Sequence, residues 1–302
     1  MNLAFNTDLT VLENEALSKY SSFKIGGCAK YAIFPKNTEE LIYAIRTCKN
    51  KGIKYLVIGN GSNILFEDEG FDGAIIITKH LKSTEYIHKT DGIYIKCECG
   101  KGLTELSNEV GKKHSLTGLE FAYGIPGTVG GAVFMNAGAY GGQMSDIVVE
   151  TQYYDISGDT IKNLKGEAHE FAYRYSLFAI HHEYIVLSTT IKLKEGNAEE
   201  IFSLMNKNMA ARKEKQPLEY PNAGSTFKRP EGGLFAGKLI EDCGLKGYTV
   251  GGAQVSEKHA GFTINCGSAT SKDVLAVIEH TQKSVMDKFG VMLKPEIIYV
   301  PK

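Results

Sequence analysis

The segment between Ala122 and Gly142 has the composition of a loop that holds a phosphorylated ligand. It contains seven glycines, and glycine permits positive φ angles and close backbone approach, so neighbouring main-chain N–H groups can converge on an anion. A flexible linker is the alternative. Linkers are polar, however, whereas this segment also carries Ile125, Val129 and Phe134. These residues favour an ordered, buried loop that contacts a ligand.

A second glycine-containing loop, Gly59–Asn63, follows a predicted strand. It begins like a dinucleotide-binding fingerprint, but Ile64 replaces the third glycine and the next residues are typical of a strand. Both differences argue against a Rossmann site. Two such loops suit an extended pyrophosphate ligand such as FAD. Composition alone does not distinguish a flavin from another nucleotide.

Three further side chains could do chemistry, and each also has an ordinary explanation. Ser225 follows a glycine, where serine commonly stabilises a turn. Arg174 lies between two tyrosines and could be a surface cation stacked on a ring. Glu296 follows Pro295 in an apolar terminal strand and could face solvent. Taken singly, each residue is better explained by the structural alternative.

Other motifs fail on inspection. Gly232-x4-Gly237-Lys238 resembles a phosphate-binding P-loop, but a leucine stands where Ser or Thr is required. His169-Glu170 lacks the second histidine of a zinc protease, since residue 173 is Tyr. The pair His181-His182 has no evident partners, and the cysteines lack zinc-site spacing. The sequence therefore predicts no metal.

Composition places the chain among ordinary globular proteins. Its 302 residues are 43% hydrophobic and 23% charged, with a formal charge of −1 and no block of like charges. These values argue against nucleic acid or a membrane surface as partner. Six cysteines in such a chain do not make a disulfide scaffold, and Met1–Asp8 lacks a signal-peptide pattern. We expect a cytoplasmic protein.

The elements that position these residues follow from periodicity and caps. We predict strands at 28–34, 54–58, 64–66, 74–78, 84–88, 93–97, 147–154, 184–193 and 296–300. Asp91-Gly92 is the predicted turn between the strands at 84–88 and 93–97. We predict a helix capped by Asn37 or Thr38 with Gly52 after its end, a helix near 102–114, and a helix at 272–289 with Ser271 as cap. A further amphipathic helix is defined by Ile201, Leu204, Met205 and Met209 and ends at Gln216-Pro217. Composition shifts near residue 195, which we interpret as a domain boundary.

Considered together, the motifs resemble one family. In order they are Ser22–Gly27, Gly59–Asn63, Gly124–Ala132, Asn136–Gly141, Tyr173–Ser176, Asn222–Ser225, Ala236–Glu241 and Leu293–Glu296. One of these motifs alone would be weak, but their collinear order over nearly the whole chain resembles the UDP-N-acetylenolpyruvoylglucosamine reductases, flavoenzymes of peptidoglycan precursor synthesis.

The resemblance implies an α+β fold. An N-terminal segment (1–20) would precede a two-lobed FAD-binding domain of the vanillyl-alcohol-oxidase type (21–194, lobes about 21–80 and 81–194). A smaller α/β substrate-binding domain (195–294) and a C-terminal strand (295–302) returning to the active site would follow. The short interval between Arg174 and Ser225 implies the shorter form of the family, which lacks an extra tyrosine-bearing loop.

The implied activity is reduction of an enolpyruvyl sugar nucleotide by NADPH through non-covalent FAD, in a monomer. Arg174 would stabilise charge on the substrate carboxylate, Glu296 would donate to it when protonated, and Ser225 would be the general acid. The implied FAD contacts are Gly59, Asn60, Gly61, Ser62, Asn63, Tyr123, Pro126, Gly127, Thr128, Gly130, Gly131, Asn136, Gly138 and Ala139. The implied substrate contacts are Tyr140, Lys215, Asn222, Lys228, Arg229, Lys238, Gln254 and Lys258.

Two alternatives stay open at this point. The first is a flavin-dependent oxidase of the same fold that passes electrons from a sugar or alcohol to oxygen and needs neither NADPH nor Ser225. The second is a non-catalytic nucleotide-sugar-binding protein, which would have no use for Arg174 and Glu296.

Overall fold

A computed structural model describes residues 9–302, so the expectation about Met1–Asp8 lies outside the described residues. The strands are β1 Thr10–Ala16, β2 Cys28–Phe34, β3 Tyr55–Ile58, β4 Ile64–Phe66, β5 Phe71–Ile77, β6 Thr84–Lys89, β7 Gly92–Glu98, β8 Leu116–Thr117, β9 Gly138–Ala139, β10 Gly142–Gln143, β11 Val148–Asp155, β12 Thr160–Lys165, β13 Tyr184–Glu195, β14 Thr249–Val250, β15 Ala253–Val255, β16 Thr263–Asn265 and β17 Ile298–Val300. The α-helices are α1 Thr38–Asn50, α2 Leu103–His114, α3 Val129–Phe134, α4 Ala198–Lys215, α5 Ala236–Asp242 and α6 Ser271–Phe289.

Helix α1 forms where its cap and its apolar spacing predict it. The Asn37 side chain accepts a hydrogen bond from the Glu40 amide at 2.8 Å, which satisfies an N–H that the helix itself leaves unpaired. Leu41, Ala44 and Ile45 recur at helical spacing and are fully buried. The cap and the buried stripe agree, so both the start and the buried face of α1 are as predicted.

Two larger sheets organise the chain. Strands β1, β2, β5 and β3 lie in that order in one sheet, and β3 and β5 are parallel, with Tyr55 opposite Ala74 and Ile58 opposite Ile77. The other sheet is antiparallel, in the order β12-β11-β13-β7-β6. Its long strand β13 pairs with β11 on one side and with β7 on the other.

The described chain forms two compact units. The first contains the residues up to Leu12 together with Ala32–Asn60 and Ala74–Ala211. The second contains Glu13–Tyr31, Gly61–Gly73 and Arg212–Lys302. This division differs from the predicted consecutive domains: segments before residue 74 belong to the second unit, and most of α4 belongs to the first.

Helix α4 joins the first unit because it packs on α2. A Cβ atom on Gly111 of α2 would lie 2.9 Å from the Met205 Sδ atom and 3.1 Å from the Ile201 Cγ2 atom. Both α4 residues are buried, as their spacing predicts. The prediction for Leu204 is wrong, since that side chain is 45% exposed. The cause is that the contact with α2 covers only a narrow stripe of α4.

In the second unit, α5 and α6 and the three-stranded sheet β14-β15-β16 enclose an apolar core. Helix α6 is capped by Thr270 and not by Ser271: the Thr270 hydroxyl accepts from the Asp273 amide, and the Asp273 carboxylate accepts from the Thr270 amide. The Ser271 hydroxyl instead donates to Asp68 at 2.8 Å. Strand β17 pairs in parallel with β4.

Two local features differ from the sequence expectations. Strand β12 was not predicted; its residues are mostly exposed, so it lacks the apolar alternation that marks a strand. In the β6–β7 hairpin, Lys89 is opposite Gly92, so the turn is Thr90-Asp91 and not Asp91-Gly92.

Within residues 9–302, no helix combines the length and the hydropathy that crossing a membrane requires.

Candidate functional site

The glycine-rich segment folds into α3 and a short hairpin in the first unit. Thr128 caps α3, and its hydroxyl accepts from the Gly131 amide at 3.4 Å. Strands β9 and β10 are joined by Tyr140 and Gly141, which both have positive φ angles (53° and 87°), as a two-residue hairpin turn of this type requires. Val129 and Val133 are fully buried. The segment is ordered and packed, as its apolar residues predict.

The amides at the start of α3 are already used by the protein. The Val129 amide donates to the Lys101 carbonyl, the Gly130 amide to the Cys99 carbonyl, and the Gly131 amide to the Thr128 hydroxyl. The idea that these N–H groups converge on an anion is therefore corrected for these three residues. Gly130 is needed for packing, since its Cβ atom would lie 2.8 Å from Cys99 Cβ.

Gly131 has a different environment. It is exposed, and a Cβ atom there would meet only the Thr128 hydroxyl, at 3.6 Å, an ordinary contact. The protein itself does not require glycine at this position. The exposed backbone at Gly131 is therefore open to the close approach of a ligand.

Gly59 and Asn60, from the shorter predicted cofactor loop, contact the glycine-rich segment within the first unit. A Cβ atom on Gly59 would lie 2.2 Å from the Thr128 hydroxyl oxygen, so only glycine permits this approach. The Asn60 side-chain amide donates to the Pro126 carbonyl at 2.7 Å. The sequence placed both loops at a ligand without any signal for contact between them, and the structure supplies that contact.

A cavity of about 520 Å³ opens beside these loops. Its lining residues are Asn60, Gly102, Thr104, Glu105, Asn108, Lys112, Tyr123, Ile125, Pro126 and Gly127. Within residues 9–302, the buried Asn108 Oδ1 atom has no hydrogen-bond partner. A buried oxygen without a donor is costly, and a ligand that donates to it would remove that cost. Sequence reasoning missed Asn108, although its i, i+4 spacing from Thr104 and Lys112 predicts one face of α2.

Arg174 is held in a tight turn with unusual backbone geometry. The amides and carbonyls of Ala172 and Tyr175 bond to each other, and Tyr173 and Arg174 form the turn between them. Arg174 has a φ of 52°, a left-handed conformation that costs a bulky residue energy. Its guanidinium donates to the Gly138 carbonyl at 3.3 Å and lies 5.1 Å from the centre of the Tyr173 ring.

Two buried side chains tie this turn to the glycine-rich segment. The Ser176 hydroxyl donates to the Phe134 carbonyl at 2.8 Å, and the Asn136 amide group donates to the Ala172 carbonyl at 3.0 Å. The Asn136 oxygen accepts from the Ser145 amide, and Asn136 is only 1% exposed. Asn136 was predicted to contact the cofactor. Its side chain positions the turn that carries Arg174, and the predicted cofactor contact stays a prediction.

His169 gives this region a pH-dependent stability that can be measured. It is fully buried, Nδ1 donates to the Gly166 carbonyl, and Nε2 lies 2.9 Å from the Thr151 hydroxyl. Burial lowers the pKa of His169 from its usual 6.5. Below pH 6.5 the unfolded chain therefore binds more protons than the folded protein does. The contribution of His169 to the stability of the fold is complete above pH 6.5 and is lost as the pH falls.

We expect His169→Gln to lower the melting temperature at about pH 7.5 and to flatten its decline between about pH 6.5 and 5. Thermal unfolding followed by circular dichroism at several pH values measures both effects. The exposed His182 is the matched control, and His182→Gln should keep the wild-type slope. An unchanged slope in His169→Gln contradicts the assignment.

In the second unit, Ser225 lies in a turn that Asn222 organises. The Asn222 side chain accepts from the Gly224 amide at 2.9 Å and donates to the Tyr220 carbonyl at 2.8 Å. Gly224 has a φ of 77°, which favours glycine. Ser225 is exposed, whereas the next residue, Thr226, is buried. The turn therefore presents the Ser225 side chain outward from a fixed backbone.

Glu296 lies on a segment that pairs with this turn. The Glu296 amide donates to the Thr226 carbonyl at 2.9 Å, and the Lys228 amide donates to the Lys294 carbonyl at 2.9 Å. The Asn63 side-chain amide donates to the Glu296 carbonyl at 3.0 Å. The structure thus brings Ser225 and Glu296 into one paired segment of the second unit, while Arg174 belongs to the first.

The other predicted residues divide by environment. Lys238 is paired with Asp242 at 2.6 Å and Lys258 with Glu219 at 3.4 Å, so part of their charge is already balanced. The Arg229 guanidinium lies 4.7 Å from the centre of the Phe235 ring. Among the other predicted substrate contacts, Lys215 is exposed at the end of α4, Lys228 is half-buried, Tyr140 is 46% exposed, and the Gln254 side chain donates to the Thr249 hydroxyl. Among the other predicted cofactor contacts, Gly61 has a φ of 59° and lies close to the Tyr20 carbonyl, and Ser62 is half-buried in the loop before β4. Gly138 and Ala139 form β9.

Two family models match the chain. The one described as FAD binding domain covers residues 29–163, and the one described as UDP-N-acetylenolpyruvoylglucosamine reductase, C-terminal domain, covers residues 216–300. Six of the eight sequence motifs lie within these two ranges, and Ser22–Gly27 and Tyr173–Ser176 lie outside them. The first contains both predicted cofactor loops, and the second contains Ser225 and Glu296.

Similar proteins match most of the chain. It is 48% identical to a UDP-N-acetylenolpyruvoylglucosamine reductase from Caldanaerobacter subterraneus subsp. tengcongensis, over 94% of this chain and 91% of the other. The identity is 45% with one from Caldicellulosiruptor saccharolyticus, over 97% and 93%. A crystal structure of the reductase from Thermus caldophilus superposes with a TM-score of 0.79 at 32% identity, over 97% and 99%. Cholesterol oxidase from Brevibacterium sterolicum, at 13% identity and a TM-score of 0.50 over 63% of this chain and 39% of that one, shares the fold alone.

Proposed function

The chain belongs to the UDP-N-acetylenolpyruvoylglucosamine reductase family, and from that premise we propose that Arg174, Ser225 and Glu296 carry its reaction. It is an oxidoreductase with an FAD-binding domain. We propose that the substrate is the enolpyruvyl ether of UDP-N-acetylglucosamine, that the reductant is NADPH, and that the product is UDP-N-acetylmuramate. One observation supports this above all: Ser225 and Glu296 lie on paired segments of one unit.

The first unit fits the flavin. The cavity beside Asn60 and Gly127, the buried Asn108 oxygen and the open backbone at Gly131 offer room, a hydrogen-bond acceptor and a surface for close approach. When bound, the flavin supplies a two-electron carrier between NADPH and the substrate. We propose that Gly59 and Asn60 also contact it, and that it is held without a covalent bond.

Arg174 addresses the main chemical difficulty of the substrate. An enol ether is electron-rich and accepts hydride only if its carboxylate takes up the developing negative charge. A guanidinium remains charged and can donate two parallel hydrogen bonds to a carboxylate. Because the turn already fixes the Arg174 backbone, this donor is organised before the charge develops, which is the condition for effective electrostatic stabilisation.

Ser225 and Glu296 act at the substrate carbon next to the one that receives the hydride. After hydride addition that carbon needs a proton, and Ser225 can deliver it from its outward-facing hydroxyl. A carboxyl group near the substrate carboxylate is favoured in its protonated form, because two like charges repel. In that form Glu296 can donate a hydrogen bond to the substrate carboxylate.

The wider setting follows from this reaction. We propose that the protein works in the cytoplasm as a monomer and supplies a precursor of the peptidoglycan cell wall, so that cell shape and division depend on it. The predicted residues Tyr140, Asn222, Lys228 and Arg229 are proposed substrate contacts. The oxygen-using oxidase is not favoured, because the relatives that match most of this chain are named as reductases.

The test is a spectroscopic titration of the purified protein. We expect a bound yellow flavin that bleaches anaerobically with NADPH and regains its absorbance on addition of the enolpyruvyl sugar nucleotide. Absorbance that returns only with oxygen would identify an oxidase. A protein that stays colourless even after incubation with FAD would contradict the proposal.

A further inference from the structure

The turn between β15 and β16 contains a histidine whose ring accepts a hydrogen bond from the backbone two residues further along the chain. The His259 Nδ1 atom accepts a hydrogen bond from the Gly261 amide at 3.0 Å. The turn is closed further by the Ser256 hydroxyl, which accepts from the His259 amide at 3.3 Å, and by the Phe262 amide, which donates to the His259 carbonyl at 3.0 Å. An Nδ1 atom that accepts places the ring proton of a neutral imidazole on Nε2.

The same turn holds the backbone next to Ser225. The Gly261 carbonyl accepts from the Thr226 amide at 2.8 Å, and that N–H belongs to the peptide bond joining Ser225 to Thr226. The Thr226 hydroxyl accepts from the Thr263 amide at 2.8 Å. His259 therefore fixes Gly261, and Gly261 fixes the peptide that carries Ser225.

The half-buried ring is in close contact with two glycines and one aromatic side chain. A Cβ atom on Gly261 would lie 2.9 Å from the His259 Cε1 atom, and one on Gly237 would lie 3.1 Å from it. Phe262 packs edge-on against the ring, with centroids 4.9 Å apart. A side chain at Gly261 would therefore clash with the imidazole and one at Gly237 would crowd it, so the ring favours glycine at both positions.

We propose that His259 is a positioning residue for Ser225: its Nδ1 atom, as acceptor for the Gly261 amide, sets the direction in which Ser225 delivers its proton. This inference rests on the proposed function, since it requires Ser225 to be the acid. Burial lowers the pKa of His259 and outweighs a backbone hydrogen bond that raises it, while Lys246 acts with burial and Glu241 against it, so the acceptor form prevails at neutral pH. Protonation would place an N–H against the Gly261 N–H and break the bond.

The experiment compares His259→Asn with His259→Leu. Asparagine can place an oxygen near the Nδ1 position and restore the acceptor, whereas leucine fills the space without one. Both variants should reduce their flavin with NADPH as the wild type does. We expect proton delivery to the substrate to slow by roughly 10²-fold in the leucine variant, because displacement of a catalytic group by about 1 Å costs that much. The asparagine variant should recover most of the rate.

A double-variant cycle separates positioning from a general structural effect. In a Ser225→Ala background, His259→Leu should cause no further loss, because no hydroxyl remains to be positioned. An additional loss of the same size would overturn the inference. If Ser225→Ala alone leaves the wild-type rate unchanged, the proposed function fails; if Ser225→Ala slows the reaction and His259→Leu does not, only this inference fails.

A measurement that needs no turnover completes the test. Nitrogen NMR of the oxidised protein should show His259 at neutral pH with its proton on Nε2 and none on Nδ1. His259→Asn supplies the assignment, because its spectrum lacks those signals. A proton on Nδ1 would overturn the proposal, since that nitrogen could not then accept from Gly261.

Discussion

Ser225→Ala is expected to separate the two halves of the reaction. The variant should bind flavin and reduce it with NADPH at the wild-type rate, while reoxidation by the enolpyruvyl substrate slows by about 10²- to 10⁴-fold, the usual contribution of a positioned acid. Ser225 is exposed in a turn that Asn222 and Gly224 maintain, so alanine should leave the fold intact. Anaerobic stopped-flow absorbance measures the two half-reactions separately.

The second unit provides a matched control. Ser268 is also exposed, and it also follows a glycine with a positive φ, Gly267 at 131°. Ser268→Ala removes the same hydroxyl from a comparable turn without touching the Ser225 segment. It should react at the wild-type rate in both halves. Wild-type reoxidation in Ser225→Ala would leave Ser225 with only a structural role.

Local order could be predicted wherever one short stretch contains the whole cause. Asn37 and the buried stripe of α1 lie within a few residues of each other, so the helix follows directly from the sequence. The same holds for α6, although the cap is shifted by one residue. Ser271 is an equally good cap in sequence terms, but Asp68, distant along the chain, takes its hydroxyl.

Contacts between distant segments could not be predicted, and they decide the division into units. Gly111 is an unremarkable glycine within a predicted helix until Met205 packs against it. Nothing in a single sequence links the two, because both residue types are common in helices. The predicted boundary near residue 195 therefore misses the packing of α4 against α2.

The candidate site shows the same limit. The glycine content of residues 122–142 predicts a ligand-binding loop but not how its amides are used. The Gly130 amide donates to the Cys99 carbonyl and the Val129 amide to the Lys101 carbonyl, and main-chain partners leave no trace in the sequence. The backbone of Arg174 is equally hidden, since arginine is not a residue that predicts a positive φ.

Arg174→Ala should slow reoxidation by the substrate about 10²- to 10³-fold, because it removes the preorganised donor to the developing carboxylate charge. Arg174→Lys keeps the charge but not the two-pronged donor, so it should recover only part of the rate. In both variants flavin reduction by NADPH should be unaffected. The same stopped-flow assay measures these rates, and a lysine variant with the full wild-type rate would show that charge alone suffices.

Arg174→Gly tests why an arginine occupies a left-handed position at all. It should be as slow as Arg174→Ala, yet its free energy of unfolding should exceed that of the alanine variant by about 1 kcal/mol, because glycine adopts a φ of 52° without strain. Urea denaturation of the two variants measures that difference directly. The same side-chain contacts are lost in both, so the comparison isolates the backbone. If the two are equally stable, the turn is unstrained; if glycine is more stable but inactive, Arg174 is retained at a cost in stability because its guanidinium is needed for the reaction.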